Sequence, residues 1–428
     1  MPSPLLLMML LATATGQKDP AVLSQRIDRF FAADSARGAE KEAKKIVALA
    51  PAFDDVYRQL GAGRRYSADV KRGRVERSRR NHDGLRHRYF LVVPKTYDPA
   101  RSYPVSVYLH GGVDRPAPEG PPEYWWRDPD RLQREDRIAV VPAAWHDSQW
   151  WQSSQVENVD AILREVKRTY NVDENRVSLV GISDGGTGVW FFAFRDRTPW
   201  ASFLPFIGSP GVLADRTNGA EGAFIVNNLS GGSYLVMNGS ADPLYPADTL
   251  RPLMEYLKDQ GVDVTFEVVE GGRHDVSWWP ARAERIEAFV ESHVRDPLPD
   301  HFFWASERTD RFNRAYWVVI DELAPDGSRG RAELAVLGSS PENVGAVEVR
   351  RSDNTVDVIA RGVRRYRLLL SPEEFDLNDD VVVRTNGRES FRGLVPREVA
   401  TLLAWAARDM DRTMLFAAEL AIEVPPSP

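Results

Sequence analysis

One serine of this sequence lies in a setting that could make its hydroxyl a nucleophile. Ser183 is the central residue of Gly181-Ile182-Ser183-Asp184-Gly185, which matches the pattern G-x-S-x-G. The apolar run Val177–Val180 precedes the motif, and a segment of helical periodicity follows it. That order fits the tight strand-to-helix turn which exposes a serine at the carboxyl end of a strand. We therefore expect Ser183 to be a nucleophile, and the alternative is an exposed serine in a glycine-rich loop.

A serine hydroxyl needs a base to remove its proton, and a histidine base needs a carboxylate to fix its tautomer. His274 is the best placed of the seven histidines because it closely follows the last apolar run, Val264–Val269. Asp242 follows the preceding run, so the chain order is Ser, Asp, His. We assign Asp275 to a loop or capping role because it is the direct neighbour of His274. Asp248 is the reserve candidate for the acid.

The negative charge that develops on an attacked carbonyl oxygen needs backbone N–H donors. Gly111 and Gly112 follow an early apolar run and can bring their backbone close to such an oxygen. We predict an oxyanion hole formed by the N–H of Gly111 or Gly112 together with that of Asp184. His110 precedes the serine in the chain, against the expected order, so we predict a structural role for its imidazole.

Tryptophan is abundant, with twelve in the chain, and several follow predicted strands on the side that carries the serine. Aromatic rings there could bind an acyl or sugar group by stacking, and packing between loops is an equally weighted alternative. The four residues predicted to bind substrate are Trp150, Trp151, Trp278 and Trp279.

The elements that must position these residues alternate between short apolar runs and helical segments. Two segments of period two, Arg74–Arg77 and His87–Val93, flank Asn81–Gly84 and predict an antiparallel hairpin. After residue 104 the alternation of buried strands and helices predicts a mostly parallel sheet covered on both faces. The predicted fold class is therefore α/β, with a mixed sheet of about eight strands.

The chain divides into four parts. Residues 1–16 are predicted to be a signal peptide because a short apolar run, Pro4–Ala12, is followed by small residues. Residues 17–68 form a predicted N-terminal helical segment, and 69–297 form the catalytic domain. Residues 298–428 show short alternating strands, which predict a small β-sandwich-like domain with one late helix, Pro396–Asp409. The expected location is secreted or periplasmic.

Composition excludes several classes of protein. The 428 residues carry a formal net charge of −7, which argues against a nucleic-acid-binding protein. The absence of cysteine excludes disulfides, thiolate metal sites and a cysteine nucleophile. No stretch after the N-terminus reaches the roughly 18 apolar residues that a membrane span needs. We predict no metal, no cofactor and no membrane span; the oligomeric state is left open.

Residues 85–295 resemble the α/β-hydrolase family, and more narrowly its bacterial esterases similar to polyhydroxybutyrate depolymerases, feruloyl esterases and acetylxylan esterases. The residues that carry this resemblance are Tyr89–Pro94, His110–Gly112, Tyr170–Asp173 with Arg176 and Val177, the motif around Ser183, and Asp242 and His274. It implies Ser183 as nucleophile, Asp242 as acid and His274 as base. The acidic Asp184 and the flanking parts of the chain depart from the usual pattern and leave the substrate open.

The main functional hypothesis is a secreted serine esterase that acts on a small-molecule or polysaccharide-linked ester. A serine peptidase resembling prolyl oligopeptidases shares the same order of catalytic residues, but the roughly 70 residues before the catalytic domain cannot hold a propeller. A carbohydrate- or surface-binding protein with an inactive hydrolase domain is the third hypothesis. An acyltransferase using the same acyl-enzyme also remains open.

Overall fold

A computed structural model of the protein describes residues 20–325 and 334–425. The predicted signal peptide, residues 1–16, lies outside the described residues and stays a prediction. Within the described ranges, no helix is both long enough and apolar enough to cross a lipid bilayer.

The N-terminal segment consists of three amphipathic helices, α1 (Pro20–Ala32), α2 (Ala36–Val47) and α3 (Phe53–Ala62). Leu23, Ile27, Phe30 and Phe31 form the buried face of α1, as their spacing indicates. The Ser35 side chain accepts a hydrogen bond from the N–H of Gly38 and so caps α2. The third helix was not resolved from the sequence pattern, although it lies within the predicted helical segment.

The central region alternates strands and helices from residue 73 to residue 292. Its strands are β1 (Gly73–Arg80), β2 (Arg86–Val93), β3 (Tyr103–Leu109), β4 (Ile138–Pro142), β5 (Val172–Ile182), β6 (Ser202–Phe206), β7 (Phe224–Ile225), β8 (Ser233–Gly239) and β9 (Asp263–Val269). Its helices are α4 (Ser153–Thr169), α5 (Asp184–Arg195), α6 (Gly211–Ala214), α7 (Ala247–Asp259) and α8 (Trp279–Ser292).

Eight of these strands form one mixed sheet in the spatial order β1-β2-β4-β3-β5-β6-β8-β9. The pairs β1–β2 and β2–β4 are antiparallel, and every pair from β4 to β9 is parallel. One face of the sheet packs against α4, α5 and α7, and the other packs against α8. The predicted α/β class, with helices on both faces of a mostly parallel sheet, is confirmed.

The C-terminal region contains two further sheets that pack face to face around a shared apolar core. Its elements are β10 (His301–Ser306), β11 (Arg314–Ala315), β12 (Val318–Leu323), β13 (Val336–Leu337), β14 (Gly345–Ser352), β15 (Thr355–Arg361), β16 (Val363–Leu370), β17 (Val381–Thr385), β18 (Arg388–Gly393), α9 (Val399–Asp409) and β19 (Ala418–Glu423). The five-stranded sheet has the order β10-β14-β15-β17-β18, and the four-stranded sheet has the order β11-β12-β16-β19. This arrangement is a β-sandwich, as the alternating pattern predicts.

The three N-terminal helices pack on α9 of the C-terminal region. Leu402, Leu403 and Ala406 of α9 share one buried cluster with Ile27, Ile46 and Leu60. An amphipathic stripe in the sequence shows which helix face is buried but does not name its partner. The first and last parts of the chain therefore form one helical layer.

Buried ion pairs join the sheet-and-helix region to the C-terminal region. The Arg295 guanidinium lies 2.8 Å from the Asp411 carboxylate, and the Lys167 ammonium lies 3.9 Å from it. Arg412 makes a two-pronged contact with Glu174, with N–O distances of 2.7 and 2.8 Å. Burial alone would raise the pKa of Asp411, but the positive charges of Arg295 and Lys167 lower it below its usual value.

We predict that Asp411→Ala lowers the free energy of unfolding by about 3–5 kcal/mol, because it leaves two buried cations without their carboxylate. Since the folded pKa of Asp411 is lowered, its contribution is present above the unfolded pKa of about 4 and is lost as pH falls further. Urea unfolding of the wild type and the variant between pH 3 and pH 7 measures both effects. The control is Asp248→Ala, which removes an exposed pair with Arg251; an equal loss in this control would contradict the prediction.

Candidate active site

Ser183 lies in a strained turn between β5 and α5. Its φ and ψ are 56° and −118°, a conformation that L-residues rarely adopt and that costs about 1–3 kcal/mol. A Cβ atom at Gly181 would collide with the carbonyl oxygen of Gly185, and a Cβ at Gly185 would collide with that of Leu109. The Ser183 N–H donates to the carbonyl of Phe206 at 3.0 Å. Both glycines of the motif are therefore needed for the backbone to make this turn.

Ser183, His274 and Asp242 form a continuous chain of hydrogen bonds. The Ser183 Oγ lies 2.8 Å from His274 Nε2, and His274 Nδ1 lies 2.9 Å from Asp242 Oδ2. Because a carboxylate can only accept, Nδ1 carries the proton and Nε2 is free to accept the serine proton. The structure thus brings together the three residues that the sequence analysis selected.

The Asp242 carboxylate is buried and held at both oxygens. Its Oδ1 accepts the N–H of Leu244 at 2.8 Å and that of Tyr245 at 3.0 Å, which leaves Oδ2 for the imidazole. Asp275 accepts the N–H of Ser277 at 2.9 Å, in agreement with its predicted loop role. The reserve candidate Asp248 is exposed and contacts Arg251.

Hydrogen bonds join the loops that carry Asp242 and His274. They follow the adjacent strands β8 and β9, and the N–H of Ala241 donates to the carbonyl of Gly272 at 3.0 Å. The N–H of Gly271 donates to the Ser240 hydroxyl at 2.8 Å. A Cβ at Gly239 would collide with the Gly272 carbonyl. These contacts fix the distance between acid and base, and the sequence analysis did not identify them.

The predicted oxyanion donors also converge beside the serine. Gly111 follows β3, the neighbour of β5, and a Cβ at this position would lie 2.8 Å from the Cβ of Ser183. Among the described residues, no acceptor is bonded to the N–H groups of Gly111, Gly112 and Asp184. Asp184 is the first residue of α5, so the positive end of the helix dipole points at the same place.

The side chains of His110 and Arg115 hold the loop that follows β3. His110 Nε2 accepts the N–H of Ala144 at 3.0 Å, and its Nδ1 donates to the Gly111 carbonyl at 2.9 Å. Burial lowers the pKa of His110 to about 4, so the ring is neutral near pH 7. Arg115 donates to the carbonyls of Gly111 and Gly112. These contacts agree with the structural role predicted for His110.

Asp184 has a second role that the sequence analysis missed. Its side-chain Oδ2 accepts the N–H of Val113 at 2.8 Å, so this carboxylate ties the loop after β3 to the start of α5. The residue that was singled out as a departure from the family pattern therefore joins the two segments that carry the oxyanion donors. A carboxylate at this position also interacts favourably with the N-terminus of the helix.

The cleft around Ser183 and His274 has a volume of about 870 Å³. Its remaining lining residues are Gly111, Gly112, Arg127, Arg131, Ile182, Asp184, Ile207, Leu244, Tyr245, Asp275, Val276 and Ser277. Ile207 has a φ of 41°, which is unusual for a β-branched residue, and its N–H donates to the Met237 carbonyl at 2.8 Å. Apolar side chains thus lie beside the nucleophile, and two arginines lie among the other lining residues.

None of the four tryptophans predicted to bind substrate, Trp150, Trp151, Trp278 and Trp279, lines this cleft. Trp150 is fully buried, and its indole N–H donates to the His110 carbonyl at 2.8 Å. Trp151 is buried and donates to the Asn218 carbonyl. Trp278 and Trp279 stack on each other and pack edge-to-face against Phe206. Packing between loops accounts for the contacts of these rings: Trp150, Trp151 and Trp278 are buried, and Trp279 is partly buried.

No protein-family model matches the chain, and no curated protein sequence matches it. A thermostable esterase of known structure is 22% identical over 52% of this chain and 63% of its own, with a TM-score of 0.42. The CE1 ferulic acid esterase of Anaeromyces mucronatus is 16% identical over 53% of this chain and 92% of its own, with a TM-score of 0.40.

A third solved structure to which the chain is similar is dipeptidyl peptidase 4 of Porphyromonas gingivalis. It is 14% identical over 52% of this chain and 36% of its own, with a TM-score of 0.41. The chain therefore spans less than two thirds of the thermostable esterase and about a third of this peptidase. The strand order and the serine turn after β5 define the central region as an α/β-hydrolase fold.

We predict that Asp242→Asn lowers kcat by about 10⁴, because an amide in place of the carboxylate favours the wrong histidine tautomer. Asp275→Asn is the matched control, since it removes the carboxylate next to His274 that bonds only to the N–H of Ser277 among the described residues. Initial rates on a chromogenic ester measure both variants. Equal losses in the two variants would contradict the assignment of Asp242 as the acid.

We predict that Asp184→Ala lowers kcat by about ten-fold, less than the 10²–10³ typical of losing an oxyanion donor, because it loosens the loop after β3 without removing an N–H. Asp184→Asn keeps an acceptor for the Val113 N–H and should restore most of the activity. The measurements are kcat and KM for each variant. A loss confined to KM, or no recovery in the Asn variant, would contradict a positioning role.

Proposed function

We propose that this protein is a serine hydrolase that cleaves carboxylic esters through an acyl-enzyme. The observation that carries the proposal is the hydrogen-bonded relay of Ser183, His274 and Asp242, with distances of 2.8 and 2.9 Å. The open N–H groups beside Ser183 add support, because they lie where a carbonyl oxygen would gain negative charge. A location outside the cytoplasm is also proposed, and it rests on the N-terminal apolar run alone.

In the first half-reaction, the Ser183 Oγ attacks the ester carbonyl carbon while His274 Nε2 takes the hydroxyl proton. The carbonyl oxygen becomes an oxyanion that accepts hydrogen bonds from the N–H groups of Gly111 or Gly112 and of Asp184. When the tetrahedral intermediate collapses, the bond to the alcohol oxygen breaks and His274 returns its proton to that oxygen. The products are a free alcohol and an acyl group esterified to Ser183.

In the second half-reaction, water replaces the alcohol. His274 Nε2 removes a proton from the water as its oxygen attacks the acyl carbonyl, and the same N–H donors bind the second oxyanion. Collapse breaks the bond to the Ser183 Oγ, which regains its proton from the imidazolium. Asp242 stays ionised and stabilises the imidazolium in both halves.

The preference for esters over peptides is part of the proposal. The described residues before the sheet form three helices packed on α9, and none of them lines the cleft, so this segment provides no enclosure of the kind that a propeller gives to an oligopeptidase. The intact relay disfavours a binding protein with an inactive hydrolase domain. Ester and peptide substrates are therefore compared directly in the test.

We expect the purified protein to hydrolyse p-nitrophenyl butyrate, and we expect Ser183→Ala to lower kcat by about 10⁴ or more because the nucleophile is lost. Ser292→Ala is the control, since Ser292 lies at the exposed end of α8, away from the cleft lining. A serine-reactive phosphonate should add one covalent label, located by mass spectrometry on the peptide that contains Ser183.

Two results would count against this proposal. Ester hydrolysis at the wild-type rate in Ser183→Ala would show that another group is the nucleophile. Turnover of a peptide p-nitroanilide faster than that of the matched ester would favour the peptidase instead.

A further inference from the structure

A second concave site lies between the helical layer and the central region. The groove has a volume of about 980 Å³, within the range of small-molecule sites, and it shares no lining residue with the cleft around Ser183. One wall is formed by α2 and α9, and the facing wall by α4 with Arg79 of β1. The end of α1 closes the groove with Phe30.

Near one end of the groove, α4 makes polar contacts with the segments that follow α3 and α9. Arg64 donates to the carbonyl of Arg168 at 2.7 Å, beside the end of α4, and Lys167 faces Asp411. The apolar side chains of α2 and α9 that line the groove are mostly alanines, and Leu403 of α9 and Met410, which follows α9, also line it. The lining therefore includes an apolar strip beside the polar contacts.

The wall formed by α4 and β1 is cationic. Arg79, Arg164 and Arg168 line it, and Arg408 of α9 faces the same space. Among the described residues, no carboxylate oxygen lies within 4.0 Å of any of these four guanidinium groups, although other arginines of the chain form many such pairs. Arg79 contacts only neutral amides, those of Asn81 and Asn158.

Glu157 and Glu165 attract Arg79, and Glu165 and Asp34 attract Arg168, from beyond the distance of an ion pair. Glu40 pairs with Lys44 at 2.6 Å, and Glu165 accepts the Tyr89 hydroxyl at 2.6 Å and lies 3.7 Å from Arg77. Asp34 is the third acidic residue of the lining.

The nearest charges behind α4 are two carboxyl groups, those of Asp160 and Asp196. Burial raises the pKa of both, and their mutual repulsion raises that of Asp196 further, so the pair does not bring two full negative charges to Arg164.

Burial acts on the arginines of the groove as well. It lowers the pKa of Arg79, Arg168 and Arg408 from the usual value of arginine. An arginine remains charged even then, and a charge in apolar surroundings is costly unless an opposite charge accompanies it. Within the described part of the chain, the groove thus combines an apolar wall with guanidinium donors that have no carboxylate at ion-pair distance, although the chain carries a net charge of −7.

We propose that this groove binds an amphiphile with a single carboxylate head and an unbranched apolar chain, such as a medium-chain fatty acid. The carboxylate accepts hydrogen bonds from Arg164 and Arg168, which lie one turn apart on α4, and the chain lies along α2 and α9. A guanidinium fork matches the two oxygens of a carboxylate, which favours this head group. The proposal does not depend on the activity proposed for Ser183.

The test is isothermal titration calorimetry of the full chain with dodecanoate below its micelle concentration. We expect saturable binding of one equivalent, and we expect the double variant Arg164→Gln/Arg168→Gln to weaken it by about ten-fold or more. The double variant Arg164→Lys/Arg168→Lys keeps the charges and should bind with intermediate affinity. Arg251→Gln/Arg282→Gln is the matched control on exposed helix surface and should bind like the wild type.

A further variant tests whether the apolar wall of the groove contributes to binding. Ala404→Leu fills part of the groove from α9 and should weaken dodecanoate without changing the charges. Acetate should not bind, and dodecanol should bind about ten-fold more weakly than dodecanoate. Circular dichroism and the urea midpoint confirm that each variant is folded, so that a loss of affinity is not a loss of structure.

Four outcomes would overturn the proposal. The first is that the wild type shows no saturable binding of dodecanoate. The second is that dodecanol binds as tightly as dodecanoate. The third is that the wild type and the Arg164→Gln/Arg168→Gln variant bind dodecanoate with equal affinity. The fourth is dodecyl phosphate that binds far more tightly than dodecanoate, which would identify a phosphate head instead. Competitive inhibition of ester hydrolysis by dodecanoate that persists in the arginine variant would place the ligand in the cleft.

Discussion

The active site depends on contacts between backbones that are too close for any side chain. At the end of β5, Gly181 lies against the carbonyl of Gly185, and Gly185 lies against that of Leu109 at the end of β3. These contacts let Ser183 adopt its strained conformation and bring Gly111 next to it. The cost of the strain, about 1–3 kcal/mol, is small beside the apolar burial of β3 and β5 in the middle of the sheet. The nucleophile and its oxyanion donors are therefore fixed by one arrangement of strands.

Close backbone contacts at glycines also fix the positions of Asp242 and His274, in the other half of the sheet. A Cβ at Gly239 would collide with Gly272, and the loops after β8 and β9 are joined by backbone hydrogen bonds. Because β6 and β8 lie between β5 and β9, the imidazole on the loop after β9 must reach across two strands to Ser183. The two joined loops fix the position of His274 relative to Ser183. The buried Asp242 carboxylate accepts two backbone N–H groups and orients the imidazole ring.

The features that could be predicted from the sequence are those that produce a pattern in residues close together along the chain. The apolar runs of β3, β5 and β8, the glycines around Ser183 and the order of Ser183, Asp242 and His274 all follow from spacing along the chain. The orientation of a side chain in a loop does not: Trp150 follows a strand as a substrate-binding residue would, yet it points inward to the His110 carbonyl. The role of the Asp184 side chain depends on Val113, which is distant in sequence. The position of the N-terminal helices is likewise set by α9, near the opposite end of the chain, because α2 and α3 contact α9 and α1 packs on α2 and α3.

Three surfaces of helix α9 contact three different parts of the protein. Leu402 and Leu403 pack against the N-terminal helices. Ala404 and Arg408 line the cationic groove. Asp409 forms an ion pair with Arg314 at 2.7 Å. Since α4 runs back from the serine edge of the sheet, Arg164 and Arg168 near its end lie toward the opposite edge. A ligand between α4 and α9 would contact both layers at once, and anything that binds only the folded state stabilises it. Occupancy of the groove and docking of the helical layer are thus thermodynamically linked.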